Sequence, residues 1–539
     1  MDRQRGFSLF KQYWHWMALA VVLLGAVIIR ARLLSVPLER DEGEYAYAGQ
    51  LILQGIAPYA QVYNMKLPGI YAAYALIMGL FGESRSAIHL GLLIANTATT
   101  VLVFLLGRQV VNSFAGLTAA AIFAVLSLGM QVQGIFANAE HFVLLPAMGG
   151  LLLLVRAIEQ SKCPALFAAS FLLGLSFIVK QHGLLFVALG SIYLLACNMQ
   201  RRPFDWRGFS ISALIFTAGA FLPFALTCVL LLKAGVFEKF WFWTFTYAQE
   251  YVSTVPFFAG SKRLLEQLGA MFASAPLIWT LAAIGLIALG WDRKSVFNRP
   301  FLLLFLTFSL LSVFPGFYFR PHYFVLMLPA LALLAGLGAS SMYDLSPHPE
   351  RSPTRRAAPA LLVLAALANG LWQQREFLLF ANAEEASRIA YGFNPFPESL
   401  EIARFINKNT HEGDRIAVLG SEPQLYFYAN RRSATGHIYT YALMEPQPYA
   451  LAMQQEMIGE IENAEPKYLV FVNVPTSWLV RPQSEGVMFR WVENYTRRHY
   501  VLEGIADIWQ DSTHYVWGEA ARSYRPRSSL SIFVFKLKS

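Results

Sequence analysis

Apolar residues run almost unbroken for about 20 positions at a time through most of this chain. A helix rising 1.5 Å per residue needs that length to cross a hydrocarbon core of about 30 Å. The pattern predicts spans near 15–34, 86–106, 114–130, 142–158, 164–180, 183–199, 209–232, 268–290, 300–315, 323–342 and 357–376, eleven in all. From about 380 onward no long apolar run remains and charge density rises. Two domains are expected: a transmembrane domain over 1–376 and a water-soluble α/β domain over 377–539.

Finer periodicity fills in both parts. Within the segment 35–85, Tyr45, Ala48 and Ile52 recur at helical spacing, which predicts an amphipathic helix lying in the interface plane. Asp41 is its expected N-cap, with Glu44 as the capping-box partner, and Gly55 and Pro58 are its expected stop. A second short helix is expected from Pro68. Segment 233–267 is dense in aromatics, among them Phe240, Trp241, Trp243 and Tyr247, and reads as a loop at the head-group layer. In the tail, helices are expected at 398–409, 423–429 and 446–463. Short buried strands are expected at 415–420 and 468–472, and period-two runs at 500–509, 513–520 and 529–537.

Composition agrees with a membrane protein. Of 539 residues, 56% are hydrophobic and 14% charged, and mean hydropathy is +0.43; soluble domains carry about 25% charge. The net charge of +9 is spread over loops between spans, not gathered in a patch with interleaved aromatics, which argues against nucleic-acid binding. Alternate segments are the richer in Lys and Arg: Arg3, Arg5, Lys11; Arg108; Arg156, Lys162; Arg201, Arg202, Arg207; Arg293, Lys294, Arg299; Arg351, Arg355, Arg356. The positive-inside rule then puts the N-terminus in the cytoplasm, and the 35–85 loop and the tail outside. Cys163, Cys197 and Cys228 fall in or beside apolar spans, so neither a disulfide framework nor a Cys/His metal motif is read. The first apolar run is longer than a signal-peptide core and is expected to be an uncleaved anchor.

Residues that carry chemistry gather on the outside loops. Asp41, Glu42 and Glu44 follow the first span directly, and Glu140, beside Asn138, lies on the next outside loop, which has no Lys or Arg. Two carboxylates on such loops can converge on one cavity. One can take a proton from a hydroxyl, while the other orients it or helps hold a divalent metal, for which Asp41 and Glu140 are the candidate ligands. The plain alternative is a helix cap with acids suited to the helix dipole. Lys66 is either a snorkelling interfacial lysine or a point charge for a lipid phosphate. Arg320 offers a fork that matches phosphate oxygens; His322, two residues on, reads first as structural. Lys180 and His182 read as anchors between two spans. No Asp, Glu, Lys or Arg falls near an expected midplane, which counts against an ion-coupled transporter.

Taken in order, Asp41-Glu42, Tyr45, Gly55, Pro58-Tyr59, Lys66-Leu67-Pro68 and Phe81-Gly82 resemble the first-loop pattern of GT-C glycosyltransferases. This group includes the lipid A aminoarabinose transferases, glycosyltransferase family 39 protein O-mannosyltransferases and related polyprenyl-phosphate-sugar enzymes. Asn138-Ala139-Glu140 resembles their second-loop acid, and Arg320-Pro321-His322-Tyr323 with Pro329 their late transmembrane motif, so the resemblance covers about 35–342. Where the aminoarabinose transferases have a basic residue three after the first Asp, this chain has Glu44; where they have Glu before the lysine, it has Met65. The resemblance implies an α-helical polytopic GT-C-like membrane protein with a soluble outside domain. It also implies transfer of a sugar from a polyprenyl phosphate, in a bacterial plasma membrane, to a lipid, glycan or protein acceptor outside, with inversion. Asp41 would be the catalytic acid or base with Glu42 beside it and Glu140 the second carboxylate; Lys66 would bind the donor phosphate, with Arg320 and His322 in support. The alternatives are a transporter or flippase for lipid-linked saccharides and a non-catalytic envelope assembly subunit.

Overall fold

A computed structural model describes residues 2–160, 162–200, 203–290, 298–345 and 353–538. Arg201, Arg202, Arg293, Lys294 and Arg351, counted above toward orientation, lie outside the described residues, as do the side chains of Arg3, Arg5, Lys11, Arg355 and Arg356. The described chain folds into two compact units. A helical unit is built from Met1–Leu34, His89–Cys228 and Val255–Ala381, and a sheet unit from Ser35–Ile88, Val229–Thr254 and Asn382–Ser539.

Every expected apolar run falls on helical structure, though not always on one unbroken helix. Among the described residues, six helices are long and apolar enough to cross a membrane: Tyr13–Arg32, Arg85–Val110, Ala139–Gln160, Gln181–Met199, Trp206–Lys233 and Pro321–Tyr343. Ser113–Leu126, Cys163–Val179, Arg299–Leu311 and Ala357–Gln373 are apolar but shorter, so the expected count of eleven crossings is not established by length. The run at 268–290 is not one span. Phe257–Ser274 and Pro276–Ala288 meet at 106°, because Ala275 leaves helical geometry (φ −153°, ψ 56°) and Pro276, lacking an N–H, starts a new helix. Glycines permit close packing in the helical unit: a Cβ on Gly338 would lie 2.8 Å from the Gly285 nitrogen.

The sheet unit holds six strands, β1 (Arg415–Leu419), β2 (Arg432–Ser433), β3 (Tyr468–Asn473), β4 (Tyr500–Ile508), β5 (Thr513–Trp517) and β6 (Ser531–Leu537), in the order β2-β1-β3-β6-β4-β5. β1 pairs in parallel with β2 and β3; the remaining pairings are antiparallel. Ile416, Val418, Leu469, Val470, Ile532 and Val534 are fully buried, as inward positions of a covered sheet require. The expected tail helices and strands are present; β2, the helices Ala383–Tyr391 and Val487–His499 and the short helices Tyr441–Met444, Pro475–Trp478 and Glu519–Ser523 were not anticipated from the pattern.

Two local expectations are corrected. The aromatic segment is not a loop: helices Phe237–Trp241 and Ala248–Val252 flank a π-helical turn, Phe242–Tyr247. Ring pairs four apart, Trp241 with Phe245 at 4.5 Å and Trp243 with Tyr247 at 5.2 Å, favour that helical path. The acidic helix spans Arg40–Leu53, and its N-cap is Glu39, not Asp41. Glu39 Oε1 accepts from the Glu42 N–H at 3.0 Å and Glu42 Oε2 from the Glu39 N–H at 2.9 Å, a complete capping box. Asp41 is released from capping because its carboxylate has other partners, described next.

Candidate active site

The first turn of the Arg40–Leu53 helix aims three charged side chains at different neighbours within the sheet unit. Asp41 Oδ2 meets the Lys66 ammonium at 3.2 Å, and its Oδ1 accepts from the Tyr439 hydroxyl at 3.0 Å. Both members of the ion pair keep partial access, with side chains 11% and 15% exposed. Glu42 is fully buried in the capping box and so holds the turn that presents Asp41.

Lys66 is positioned by a second layer. Tyr59, with left-handed φ of 68°, donates its hydroxyl to the Lys66 carbonyl at 2.6 Å. Asn64 donates to Glu44 Oε2 at 2.7 Å and Tyr71 to Glu44 Oε1 at 2.5 Å, tying the lysine-bearing segment to the helix. Glu44 is fully buried, and that burial pushes its carboxyl up to about 8 against the pull of Lys66 and of its two donors. Its place in the sequence, unexplained by the family pattern, is accounted for: it anchors the lysine segment.

Arg40 fixes the helix start to the tail. Its guanidinium bonds Glu422 Oε1 at 2.6 Å, the Tyr441 hydroxyl at 2.8 Å, Asn394 Oδ1 at 3.1 Å and the Ser421 carbonyl, and it lies 5.3 Å from the Phe396 ring centroid. Burial works against the arginine's charge, but Glu422, with Tyr441 and Tyr439, more than offsets it and the guanidinium is held above its ordinary range. Gly43 allows the approach, since a Cβ there would sit 2.6 Å from the Gln424 nitrogen.

Glu140 belongs to the helical unit. It opens the Ala139–Gln160 helix and pairs with Lys180 at 2.5 Å, both side chains buried. Lys180 Nζ lies 4.5 Å from the Tyr323 centroid, and the same ring touches His182 at 4.9 Å and His322 at 5.0 Å. His322 Nδ1 also lies 3.1 Å from Gln133 Oε1, and Arg320 stands 5.6 Å from the Tyr318 ring centroid. Lys180 was read as an anchor; the structure instead makes it the partner of Glu140. Glu140 Oε2 and both amide atoms of Asn138 are buried without a hydrogen bond among the described residues.

The structure thus brings Asp41, Glu42 and Lys66 together in one unit; in the other, Glu140 pairs with Lys180, which lies with His322 around Tyr323. Tyr439, Arg40, Glu422 and Lys180 were missed as site residues. Only the acid-lysine spacing was visible locally; their partners lie from 40 to nearly 400 residues away. Among the described residues, no group of three or more His, Cys, Asp or Glu side chains could hold a metal ion.

Three comparisons bear on this arrangement. The dolichyl-phosphate-mannose-protein mannosyltransferase family pattern matches residues 66–227. No curated protein sequence matches the chain. Among solved structures, the Archaeoglobus fulgidus oligosaccharyltransferase in its apo form aligns with TM-score 0.60 at 14% identity, over 95% of this chain and 75% of that one. The archaeal oligosaccharyltransferase AglB from the same organism, in complex with an inhibitory peptide and a dolichol-phosphate, gives 0.55 at 14% identity over the same shares. ArnT from Cupriavidus metallidurans, bound to undecaprenyl phosphate, aligns with TM-score 0.59 at 14% identity, over 97% of this chain and 98% of that one. The chain is a membrane protein with the fold of these GT-C glycosyltransferases, as the first-loop resemblance implied.

Proposed function

We propose that this chain is an integral membrane glycosyltransferase that moves a sugar from a polyprenyl-phosphate donor to an extracytoplasmic acceptor, with inversion. The observation that carries the reading is the Asp41 carboxylate held between the Lys66 ammonium and the Tyr439 hydroxyl, at 3.2 and 3.0 Å. The fold shared with proteins solved with dolichol-phosphate and undecaprenyl phosphate supports the lipid-linked donor.

In this reading Asp41 accepts the proton as the acceptor O–H bond breaks. The acceptor oxygen bonds to the anomeric carbon, and the carbon–oxygen bond to the lipid phosphate breaks from the opposite side. The phosphate leaves with the electron pair, and Lys66 meets its charge. Tyr439 holds Asp41 in orientation and Glu42 holds the turn. In the helical unit, Glu140 is a second candidate carboxylate, and Arg320 and His322 are candidate phosphate ligands. The membrane is the bacterial plasma membrane, with the N-terminus inside and the tail outside.

A divalent ion fits these residues poorly, because Asp41 and Glu140 each already carry an ammonium partner. Chelation by EDTA is expected to leave turnover unchanged. The deciding experiment offers purified protein a panel of polyprenyl-phosphate sugars and follows release of lipid phosphate. Asp41→Asn is expected to lower turnover about 10²–10⁴-fold with donor binding retained; turnover at the wild-type rate would remove Asp41 from the mechanism.

A further inference from the structure

At the edge of the sheet, two arginines stand directly opposite one another. Arg415 on β1 and Arg432 on β2 are register partners, and both are exposed. Like charges at paired cross-strand positions repel, so such a pair is disfavoured unless something else is gained. Arg415 donates to the Ser433 carbonyl at 3.2 Å, and among the described residues neither guanidinium forms an ion pair. Arg431, one residue earlier, shows what a structural arginine looks like here. It is buried, and its nitrogens donate to Thr410, Asn407, Ala429 and Asn430.

Both exposed arginines line a cleft of about 590 Å³ together with Tyr47 and Gln50 of the Arg40–Leu53 helix and its C-cap Gln54. Glu412 is the one carboxylate among its lining residues and pairs with neither arginine. Arg415 also borders a second cavity of about 600 Å³, lined by Gln61, Tyr63, Glu460 and Asn463. The exposed side-chain amides of Gln54 and Asn463 suit the hydroxyls of a saccharide, and two facing forks suit the oxygens of one dianion.

We infer that this edge is a binding site for a phosphorylated saccharide, with the phosphate between Arg415 and Arg432. A phosphate monoester carries about −1.5 to −2 at pH 7 and so matches two guanidiniums, where a carboxylate matches one. The site shares a helix with Asp41: nine residues at 1.5 Å each put Gln50 about 14 Å along the axis. That the bound saccharide is the acceptor rests on the glycosyltransferase reading; the anion site itself does not.

The test uses the full chain in phosphatidylcholine nanodiscs, titrated calorimetrically with a hexose phosphate, inorganic phosphate and the neutral hexose. Vesicles containing phosphatidylglycerol test the lipid source of the same chemistry. The hexose phosphate is expected to bind more tightly than either other soluble probe, with affinity falling at least about tenfold in Arg432→Ala and less in Arg432→Lys. Equal affinity in Arg432→Ala, or binding of phosphatidylglycerol vesicles in place of the sugar phosphate, overturns the assignment. So does inorganic phosphate binding as tightly as the sugar phosphate. An unchanged melting temperature for Arg432→Ala shows that the fold is intact. Asp41→Asn, expected to slow transfer steeply, must leave this binding unchanged, so failure of the anion site and failure of the transferase reading give different results.

Discussion

Glu44 is an acid whose surroundings hold its proton. Its carboxyl is pushed up to about 8, whereas the unfolded chain has the ordinary value near 4.5. The folded state therefore binds more protons between those values, and its stability falls as pH rises from about 4.5 through about 8. Glu44→Gln is expected to flatten the drop in melting temperature between pH 5 and 8.5; an identical slope would place the pH sensitivity elsewhere. Arg40 and Glu422 form a buried pair in which one partner alone is worse than neither. Arg40→Met should lower unfolding free energy by about 3–5 kcal/mol, and adding Glu422→Met should recover part of it, measured by chemical denaturation in detergent. The candidate acids and Lys66 were legible in the sequence because their spacing is local. Tyr439 and Glu422 were not, because nothing in a single sequence says which distant polar side chain completes a buried set.

At the scale of elements, the Arg40–Leu53 helix was legible from its apolar spacing, but its start was misplaced by two residues. Asp is a better N-cap than Glu by intrinsic preference, and tertiary contacts to Asp41 overrode that preference. The aromatic segment misled in the opposite sense: its rings read as a head-group belt, yet they pair along a π-helical turn. Gly43 marks where the acidic helix touches the tail. Gly43→Ala is expected to destabilise by about 1–3 kcal/mol despite alanine's better helix propensity, because the added methyl meets backbone at Gln424. A thermal melt reads this directly, and an unchanged or raised melting temperature would mean that the contact yields.

For the whole molecule, hydropathy revealed the membrane helices and alternating periodicity the tail sheet. Neither revealed that residues 35–88 and 229–254 fold with the tail. The chain cut after Ala381 loses Glu422 and Tyr439, so it should lose transfer completely and become protease-sensitive within 35–88; retained protection there would show that the first loop stands without the tail. The Arg40–Glu422 contact also sets a clock on biosynthesis. Its two ends are 382 residues apart in the chain. At about 5–20 residues per second, a ribosome takes about 20–80 s to travel from one to the other. Through that interval Arg40 and Asp41 are already synthesised while their tail partners are not, so the candidate catalytic carboxylate is among the first parts made and among the last assembled.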